Sequence, residues 1–509
     1  MTTIKLILKV LAVLLGCIFI FFMGCVFFPY SYTPLPKQSE NTILIQNVNI
    51  IDVEADSVLY NHNILIVGGV IDSISDKPFF STDDNTKVVD ATNKFLISGL
   101  WDMHVHLSKQ SPFVEYPEFF RHGVTYVRDM RGPYNKRDPY AGVMEKLVKW
   151  NEKVKAGQLV GPELFSYASF AVEGPSSMFD NSPEYFNCST PEDAVRLVKH
   201  FKENGISLIK IYNNIPSDAF FELMKEAAKQ GLDVAGHKPV RVSTIEASDA
   251  GMKSMEHARF FIWDSFKESE MIRKDPDPKS LDNTQLRKRM LEEHDTVMLE
   301  KMFQAFVRNN TWYCPTHLTR KADAFAEDSL FRLRYSHINP IFRFLSFEDL
   351  DAAIQEDPTP DDRKVYKEFY LKSLEISGKA AKYGVKVLAG SDLPELPGSS
   401  LHEELIELST AGLPAYEVLR TTTLYPAMYY GRSDRYGSVK KGKVADLIIL
   451  SKNPIDDIKN ISEIHGIVRN GIFLNSSYLE NLKNEVADRR TGIIMTSKLL
   501  WDVLMYMTL

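Results

Sequence analysis

Four histidines and one aspartate stand at the ends of short apolar segments spread along the chain. His104 and His106 lie in "DMHVHL", His237 in "AGHKP", His257 in "MEHAR" and Asp392 in "AGSD". His104 and His106 are two residues apart in a predicted strand, so both imidazoles face the same side and can share one metal ion. A single histidine is more often a structural residue than a ligand. Four imidazoles and a carboxylate together form a ligand set that suits zinc, manganese or a similar divalent ion.

A lysine lies in the middle of another apolar segment, "SLIKIYNN", residues 207–214. Because alternate residues of a strand share a face, the side chain of Lys210 points the same way as Leu208 and Tyr212. An unpaired ammonium on a buried face is costly. Lys210 is therefore expected to be paired, to reach solvent with its tip, or to be chemically changed.

These residues need a scaffold that brings distant strand ends together. Between residues 99 and 436, short apolar strands alternate with helical stretches, which is the pattern of repeated βα units. The eight predicted strands are "GLWDMHVHL", "GVTYVRDM", "ELFSYASF", "SLIKIYNN", "LDVAGHKP", "KSMEHARF", "TWYCPTHL" and "VKVLAGSD". They predict an α/β fold, a (β/α)8 TIM-type barrel, whose active site lies at the carboxyl ends of the strands.

The regions on either side of this pattern differ from it. Residues 39–98 and 437–475 alternate short apolar runs with turn residues, which predicts the two parts of a small β-sandwich domain built from both chain ends. Residues 476–509 predict a helical tail packed on the body, with contact to a bilayer surface as the less favoured alternative.

Residues 1–38 predict a transmembrane anchor or a signal segment. Lys5 and Lys9 precede an uncharged apolar run, Val10 to Phe28, that nearly spans a bilayer core. Bulky residues after the run offer a poor cleavage site, which favours a retained anchor over a cleaved or lipid-modified signal. With the lysines before the span, the positive-inside rule puts the body on the non-cytoplasmic side, periplasmic or extracellular, or secreted if the segment is cleaved.

Composition excludes two classes of protein. The 509 residues carry a formal net charge of -7, spread without a long basic run, so no nucleic-acid partner is expected. Four cysteines, two of them in the apolar N-terminal run, support neither a disulfide scaffold nor a thiolate zinc cluster.

The segments "HVH", "IKI", "GHKP", "EHA" and "GSD", in this order, resemble the amidohydrolase superfamily, and its imidazolonepropionase-like and prolidase-like branch in particular. The stretches "HGVTYVRDMRG" and "GSVKKGKVADLIIL" resemble it as well, and the resemblance covers residues 42–474. It implies two divalent metal ions, zinc first among them, bridged by a carboxylated Lys210. The implied ligands are His104, His106 and Asp392 for one ion, and His237 and His257 for the other.

The resemblance also implies a mechanism. Hydroxide activated by the metals attacks the scissile carbonyl, and Asp392 accepts the proton and passes it to the leaving nitrogen. Strand geometry makes Tyr212 the candidate hydrogen-bond donor to the developing oxyanion, with packing at the barrel rim as an equal alternative. Lys238, Arg259 and His317 lie near strand ends and are the candidate substrate-binding residues.

The predicted function is hydrolysis of an amide or peptide bond in a small molecule, as in a dipeptidase or prolidase. The alternative is a cyclic amide, lactone or ester hydrolase, since the same metal chemistry attacks all of these bonds. A non-catalytic binding protein is disfavoured because every implied ligand position is filled. The expected partners are a small-molecule or dipeptide substrate and a membrane, and assembly into a homo-oligomer stays open.

Overall fold

The protein has an α/β fold with one mixed sheet and two parallel sheets. The computed structural model describes residues 2–37, 42–79, 85–133, 143–175, 185–274 and 283–506. The described strands are, in chain order, β1 (Thr42–Asp52), β2 (Ser57–Val67), β3 (Val70–Ser75), β4 (Thr86–Asp90), β5 (Phe95–Ser98), β6 (Leu100–Val105), β7 (Val124–Asp129), β8 (Glu163–Leu164), β9 (Val172–Glu173), β10 (Phe186–Asn187), β11 (Leu208–Ile211), β12 (Asp233–Gly236), β13 (Ser254–Glu256), β14 (Trp312–Cys314), β15 (Leu447–Leu450), β16 (Ile464–Arg469) and β17 (Ile472–Asn475).

The helices alternate with the parallel strands and also form both ends of the chain. In the described residues they are α1 (Thr2–Phe27), α2 (Glu115–Arg121), α3 (Met144–Lys155), α4 (Pro191–Glu203), α5 (Ser217–Gln230), α6 (Thr244–Asp249), α7 (Phe260–Ser265), α8 (Ser269–Lys274), α9 (Thr284–Glu292), α10 (Thr296–Asn309), α11 (His317–Ala324), α12 (Ser329–Arg332), α13 (Pro340–Glu356), α14 (Pro360–Tyr383), α15 (Ser399–Thr410), α16 (Ala415–Thr421), α17 (Leu424–Tyr429), α18 (Ser476–Thr491) and α19 (Ile493–Tyr506). Local sequence sets some of their starts: Ser243 and Glu246 form a capping box at α6.

The mixed sheet joins the two ends of the chain. Its strand order is β17-β16-β15-β5-β1-β2-β3, and β4 pairs with β1. β15 runs antiparallel to β5, with Leu447 opposite Ser98, so the C-terminal strands are hydrogen-bonded to the N-terminal ones. Alternate apolar residues such as Ile43, Ile45 and Ile64 are buried in one cluster of this sheet.

The parallel strands carry most of the predicted site segments. One sheet is β6-β7-β8, and the other is β10-β9-β11-β12-β13-β14. Every residue of β6, β7 and β11 is buried, as expected of parallel strands covered on both faces. Because parallel strands end at the same edge of a sheet, the residues that follow β11, β12 and β13 are neighbours.

Isolated backbone bridges lie between the parallel strands. They join Ala168 to Leu208 and Tyr313 to Val387. Val387 belongs to the eighth predicted strand, "VKVLAGSD", which pairs through this bridge and not as a longer strand. The same segment also contacts β6, because the amide of Met103 donates to a carbonyl two residues after Val387. The eighth segment thus contacts both β14 and β6.

Among the described residues, α1 alone is long and apolar enough to cross a membrane, over Ile4–Phe27. Most of its side chains are exposed. Its last turn packs against α19, and Cys25 and Val26 are buried there. An apolar N-terminal helix is present as predicted, and its role as an anchor or a signal stays a prediction.

Candidate active site

The six residues predicted to bind metal lie together at the carboxyl ends of the parallel strands. Two lie within strands, three directly follow a strand, and Asp392 is the last residue of the eighth segment. They are His104 in β6 and Lys210 in β11, and, after the strands, His106, His237, His257 and Asp392. The amide of Asp392 donates to the carbonyl of His104 over 2.9 Å, which holds the eighth segment against β6.

The carboxylate of Asp392 lies close to three imidazole rings. Its Oδ1 lies 3.3 Å from Nε2 of His106 and 3.5 Å from Nε2 of His104. Its Oδ2 lies 3.6 Å from Nδ1 of His257. Burial raises the pKa of Asp392 to about 7, against the lowering effect of the Lys210 charge. A carboxyl group with this pKa can take up or release a proton near neutral pH.

Two further close contacts in the cluster join basic nitrogen atoms of different side chains. Nε2 of His237 lies 2.8 Å from Nε2 of His257. Nζ of Lys210 lies 3.4 Å from Nε2 of His104. Two lone pairs at such a distance repel each other unless a proton or a cation lies between them. The arrangement is therefore suited to holding a positive charge.

All four imidazoles are held in the neutral form. Burial lowers the pKa of His104, His237 and His257 well below the ordinary value. Burial, together with the charge of Lys210, lowers the pKa of His106 to about 3. Since metal ions bind neutral imidazole, these rings can act as ligands without first losing a proton.

Side chains behind the cluster set the orientation of two rings. Nδ1 of His237 lies 3.1 Å from Oδ1 of Asn213, and Nδ1 of His257 lies 2.8 Å from the hydroxyl of Thr316. Partners of this kind fix which ring nitrogen faces a metal. Sequence reasoning identified neither Asn213 nor Thr316, because both are ordinary loop residues until the fold brings them behind a histidine.

His104 is oriented by a fully buried ion pair. Its Nδ1 lies 3.0 Å from Oε2 of Glu256, which leaves Nε2 facing Asp392. Nη2 of Arg128 donates to both oxygens of Glu256, at 2.9 and 2.8 Å. The ion pair joins β7 to β13 beneath the cluster, so the ring of His104 is positioned by two other strands.

Backbone conformation turns two of the strand ends. His257 and Asp392 have φ values of 70° and 49°, in the left-handed region that non-glycine residues adopt at a cost of ~1 kcal/mol or more. Gly390 permits the eighth segment to approach β6. A Cβ at Gly390 would lie 2.6 Å from Sγ of Cys314 and 2.7 Å from Cβ of His104, which is closer than atoms can pack.

Tyr212 lies beside the cluster, directly after β11, the strand of Lys210. Its ring centroid is 4.3 Å from that of His237, and Nζ of Lys210 is 5.3 Å from the centroid of the tyrosine ring. Burial raises the pKa of Tyr212, so the phenol keeps its proton at neutral pH and can donate a hydrogen bond.

Lys238, a predicted substrate-binding residue, is engaged by its own loop. Its Nζ donates to the carbonyl oxygens of Pro239 and Val242 at 3.0 and 2.6 Å, and lies 3.4 Å from Oδ2 of Asp264. These contacts position the chain that leads into α6. A substrate would have to compete with them.

The other two predicted substrate-binding residues have different surroundings. The guanidinium of Arg259 lies 5.3 Å from the ring of Trp263, and its positive charge helps to lower the pKa of His237. His317 is fully buried, and neither ring nitrogen has a hydrogen-bond partner in the part of the chain that the structure describes. Burial lowers the pKa of His317 to about 3, so its ring is neutral.

The ligand atoms of His104, His106 and Asp392 lie within 4.8 Å of one another, close enough to share one ion. Nε2 of His106 is buried and has no hydrogen-bond partner in the described residues, so a ligand atom is available there. A second such group contains His104, Glu256 and Cys314. In that group the guanidinium of Arg128 already pairs with Glu256. The first group is therefore the one that fits a metal ion.

One family model and several solved structures are similar to this chain. The model of the Amidohydrolase family matches residues 375–473. Similar solved structures include a Xaa-Pro dipeptidase with methionine bound in its active site, at 20% identity and a TM-score of 0.60, covering 86% of this chain and 100% of the other. No curated protein sequence matches this chain.

Two further structures share the fold. Bottromycin amidohydrolase matches at 20% identity with a TM-score of 0.64, covering 89% of this chain and 92% of the other. A prolidase in complex with N-methylphosphonate-L-proline matches at 18% identity with a TM-score of 0.60, covering 85% and 99%. The predicted resemblance to prolidase-like amidohydrolases is confirmed, and the family match supports a hydrolase.

Proposed function

We propose that this protein is a metal-dependent amidohydrolase that uses two divalent metal ions, zinc first among them, to cleave an amide or peptide bond in a small substrate such as a dipeptide. The observation that carries the proposal is the meeting of four neutral imidazoles with Lys210 and Asp392 at one strand edge. The match to the Amidohydrolase family and the fold shared with a Xaa-Pro dipeptidase support it.

The ligands divide into two groups around Lys210. Divalent ions at such a site lower the pKa of bound water toward neutrality and polarise a carbonyl group. Burial lowers the pKa of Lys210, which increases the fraction of neutral amine, the form that combines with carbon dioxide. A carboxylated Lys210 would bridge the ions. The proposed groups are His104, His106 and Asp392 for one ion, and His237 and His257 for the other.

Asp392 is the proposed proton carrier. Its carboxylate contacts three of the four imidazoles, and burial raises its pKa, so it is basic enough to accept a proton from the nucleophile and donate it to the leaving nitrogen. Tyr212 is the proposed donor to the oxyanion that forms at the carbonyl, since its phenol keeps its proton and lies beside His237.

Substrate recognition is proposed for Arg259, His317 and Lys238. The charge of Arg259 acts on His237 and His257, which favours a substrate with a carboxylate near the reacting bond. His317 offers two ring nitrogens that no described residue engages. Lys238 would contribute mainly by holding its loop, because three oxygen atoms already surround its ammonium.

The scaffold of the site is proposed to be a closed (β/α)8 barrel, residues 99–436. The bridges from Ala168 to Leu208 and from Tyr313 to Val387, with the hydrogen bond from Met103 to the eighth segment, support closure. Residues 39–98 and 437–475 would form the small β-sandwich domain beside it. Residues 1–38 would anchor the body on the non-cytoplasmic side of a membrane, or direct its secretion if they are cleaved.

Replacement of the proton carrier tests the proposed function. Asp392→Asn should keep most of the metal yet lose about 10²- to 10⁴-fold in turnover, because the amide cannot carry the proton. The measurement is hydrolysis of a panel of dipeptides and N-acyl amino acids with zinc or manganese added, alongside metal analysis. Asp233→Asn, at the opposite end of β12, is the matched control and should keep full turnover.

Three outcomes would count against the proposal. Near-normal turnover in Asp392→Asn would remove Asp392 from the mechanism. Zero or one metal ion per chain in the unaltered protein would contradict a site with two ions. Activity on esters or lactones alone would favour the alternative function.

A further inference from the structure

The tail helix α19 exposes an apolar stripe. Ile493, Leu500 and Leu504 are 60%, 37% and 45% exposed. Their spacing of seven and four residues puts them on one side of the helix, where Ser497, between Ile493 and Leu500, is buried. Met495 and Leu499, on another side, are buried in a cluster with residues of the body. The three exposed apolar side chains form the stripe of α19 and are available for contact with another surface.

The stripe lies next to the place where α1 contacts α19. The rings of Phe22 and Trp501 are 6.5 Å apart, and Nζ of Lys498 donates to the carbonyl of Val26 over 2.6 Å. Trp501 follows Leu500 directly, so the contact with α1 and the exposed stripe occupy adjacent sides of α19. The last turn of α1 is therefore docked on the tail, while the turns before it expose apolar side chains such as Ile20.

We propose that α19 lies on the surface of a lipid bilayer that α1 crosses, with Ile493, Leu500 and Leu504 in the interfacial layer. The exposed apolar side of α1 and the stripe of α19 adjoin each other. α1 has 26 residues, which at helical rise is about 39 Å and exceeds a bilayer core of about 30 Å. The turn of α1 that contacts α19 thus lies at the edge of the bilayer, and the stripe of α19 continues from it.

The tail is also attached to the loop that follows β6. Oδ1 of Asp502 lies 2.5 Å from Nζ of Lys109, and Oδ2 accepts a hydrogen bond from Gln110 over 3.0 Å. Lys109 and Gln110 lie three and four residues after His106. One face of α19 therefore faces the bilayer while another holds a loop of the candidate site.

The loop that follows Asp392 lies close to the same helix. Leu499 of α19 lines a small cavity together with Pro394 and Glu395, close to Asp392 in the chain. Two loops of the candidate site, one after β6 and one after Asp392, thus lie beside α19. It follows that α19 places this edge of the candidate site near the lipid.

Site-directed fluorescence quenching on the full chain tests this placement. In a background with the exposed Cys17 replaced by serine, a fluorophore is attached at Leu504→Cys, and the protein is reconstituted into phosphatidylcholine vesicles. The matched control is Val307→Cys, which is 48% exposed near the end of α10 that leads into β14, at the amino ends of the strands. Ile493→Cys gives a second reporter on the stripe if the first variant does not fold.

The expected result is a contrast between two quenchers. Nitroxide-labelled lipid should quench the label at position 504 or 493 at least about threefold more than it quenches the label at 307, and iodide should show the reverse order. Equal iodide quenching at the stripe and at 307 would overturn the proposal. Protection of the stripe from both quenchers, with two chains per particle, would also overturn it, since the stripe would then be a contact between chains.

Discussion

The carboxyl ends of β11 and β12 each carry a buried lysine, and the two differ in what surrounds the ammonium group. Nζ of Lys238 has two carbonyl oxygens within 3.0 Å and the carboxylate of Asp264 at 3.4 Å. Nζ of Lys210 has one hydrogen-bonding neighbour in the described residues, a ring nitrogen of His104 at 3.4 Å. Burial lowers the pKa of both lysines.

This difference indicates a structural role for Lys238 and a role in catalysis or metal binding for Lys210. A buried charge is tolerated where oxygen atoms replace its water, and this is the situation of Lys238. The hydrogen-bonding neighbour of Lys210 is itself a base, and burial outweighs the charges of Glu256 and Asp392, so the pKa of Lys210 is lowered and the surroundings favour a neutral amine or a modified one. Two lysines on adjacent strands, both buried, therefore have opposite expected behaviour on substitution.

The largest expected effect is that of Lys210→Ala. If a carboxylated Lys210 bridges two ions, its loss should remove metal and lower turnover by about 1000-fold, well beyond the effect of a residue that only supports a ligand. Metal analysis and hydrolysis rates measure this, and small carboxylic acids should restore part of the activity. Unchanged activity would show that Lys210 is not a bridging ligand and that its surroundings do not distinguish it from Lys238.

Lys238→Met should act on stability and not on metal. Removing the ammonium leaves Asp264 buried with one fewer partner, and we expect a loss of ~3 kcal/mol in the free energy of unfolding, measured with urea. Lys253→Met, which removes a partly exposed pair with Asp233, is the control and should cost under about 1 kcal/mol. A rise in KM with stability unchanged would instead assign Lys238 to the substrate.

Removing the side chain that orients His237, a ligand of the second group, should have a smaller effect on metal binding. Asn213→Ala removes the group that faces Nδ1 of His237, and metal affinity should fall by about 10- to 100-fold with the fold intact. Competition with a chelator measures the affinity. Asn204→Ala, at the exposed end of α4, is the control and should leave it unchanged. Equal affinity in both variants would show that the ring of His237 needs no such partner.

The smallest expected effect concerns Glu115, a carboxyl group whose charged form is disfavoured by burial, as is that of Lys210. Glu115 contacts the hydroxyls of Ser108 and Ser111, and burial raises its pKa to about 8 from an ordinary value near 4.5. The folded state therefore binds a proton that the unfolded state has lost. The stability from this group is complete below about pH 4.5 and falls as the pH rises through 8.

Glu115→Gln should flatten this dependence. Between pH 5 and pH 6 the unaltered protein should lose about 1 kcal/mol relative to the variant, measured by urea unfolding at both values. Glu480→Gln, on the exposed side of α18, is the control and should show the unaltered profile. Parallel curves for Glu115→Gln and the unaltered protein would mean that Glu115 is ionised in the folded state.

Much of the architecture could be predicted from local pattern. Alternation in residues 42–98, and strands followed by helices after residue 99, depend on side-chain periodicity, which sequence displays directly. The eighth predicted strand has a single bridge at Val387, because Gly390 and the turn at Asp392 shorten the extended segment that apolar residues indicated.

The support of the site could not be predicted in the same way. Asn213 and Thr316 contact His237 and His257 across gaps of 24 and 59 positions in the chain. Nothing in the local sequence marks an asparagine or a threonine as the partner of a particular imidazole. Such partners follow from how neighbouring strands are paired.

The sequence by itself determined which chemical groups stand at the strand ends, because residue type and strand period are local properties. It also determined that Lys210 interrupts one apolar segment and that Lys238 follows another. Only the tertiary structure decided which of the two has oxygen atoms around its ammonium. That choice depends on Asp264 and two loop carbonyls for one lysine and on His104 for the other, and those neighbours arrive from other parts of the chain.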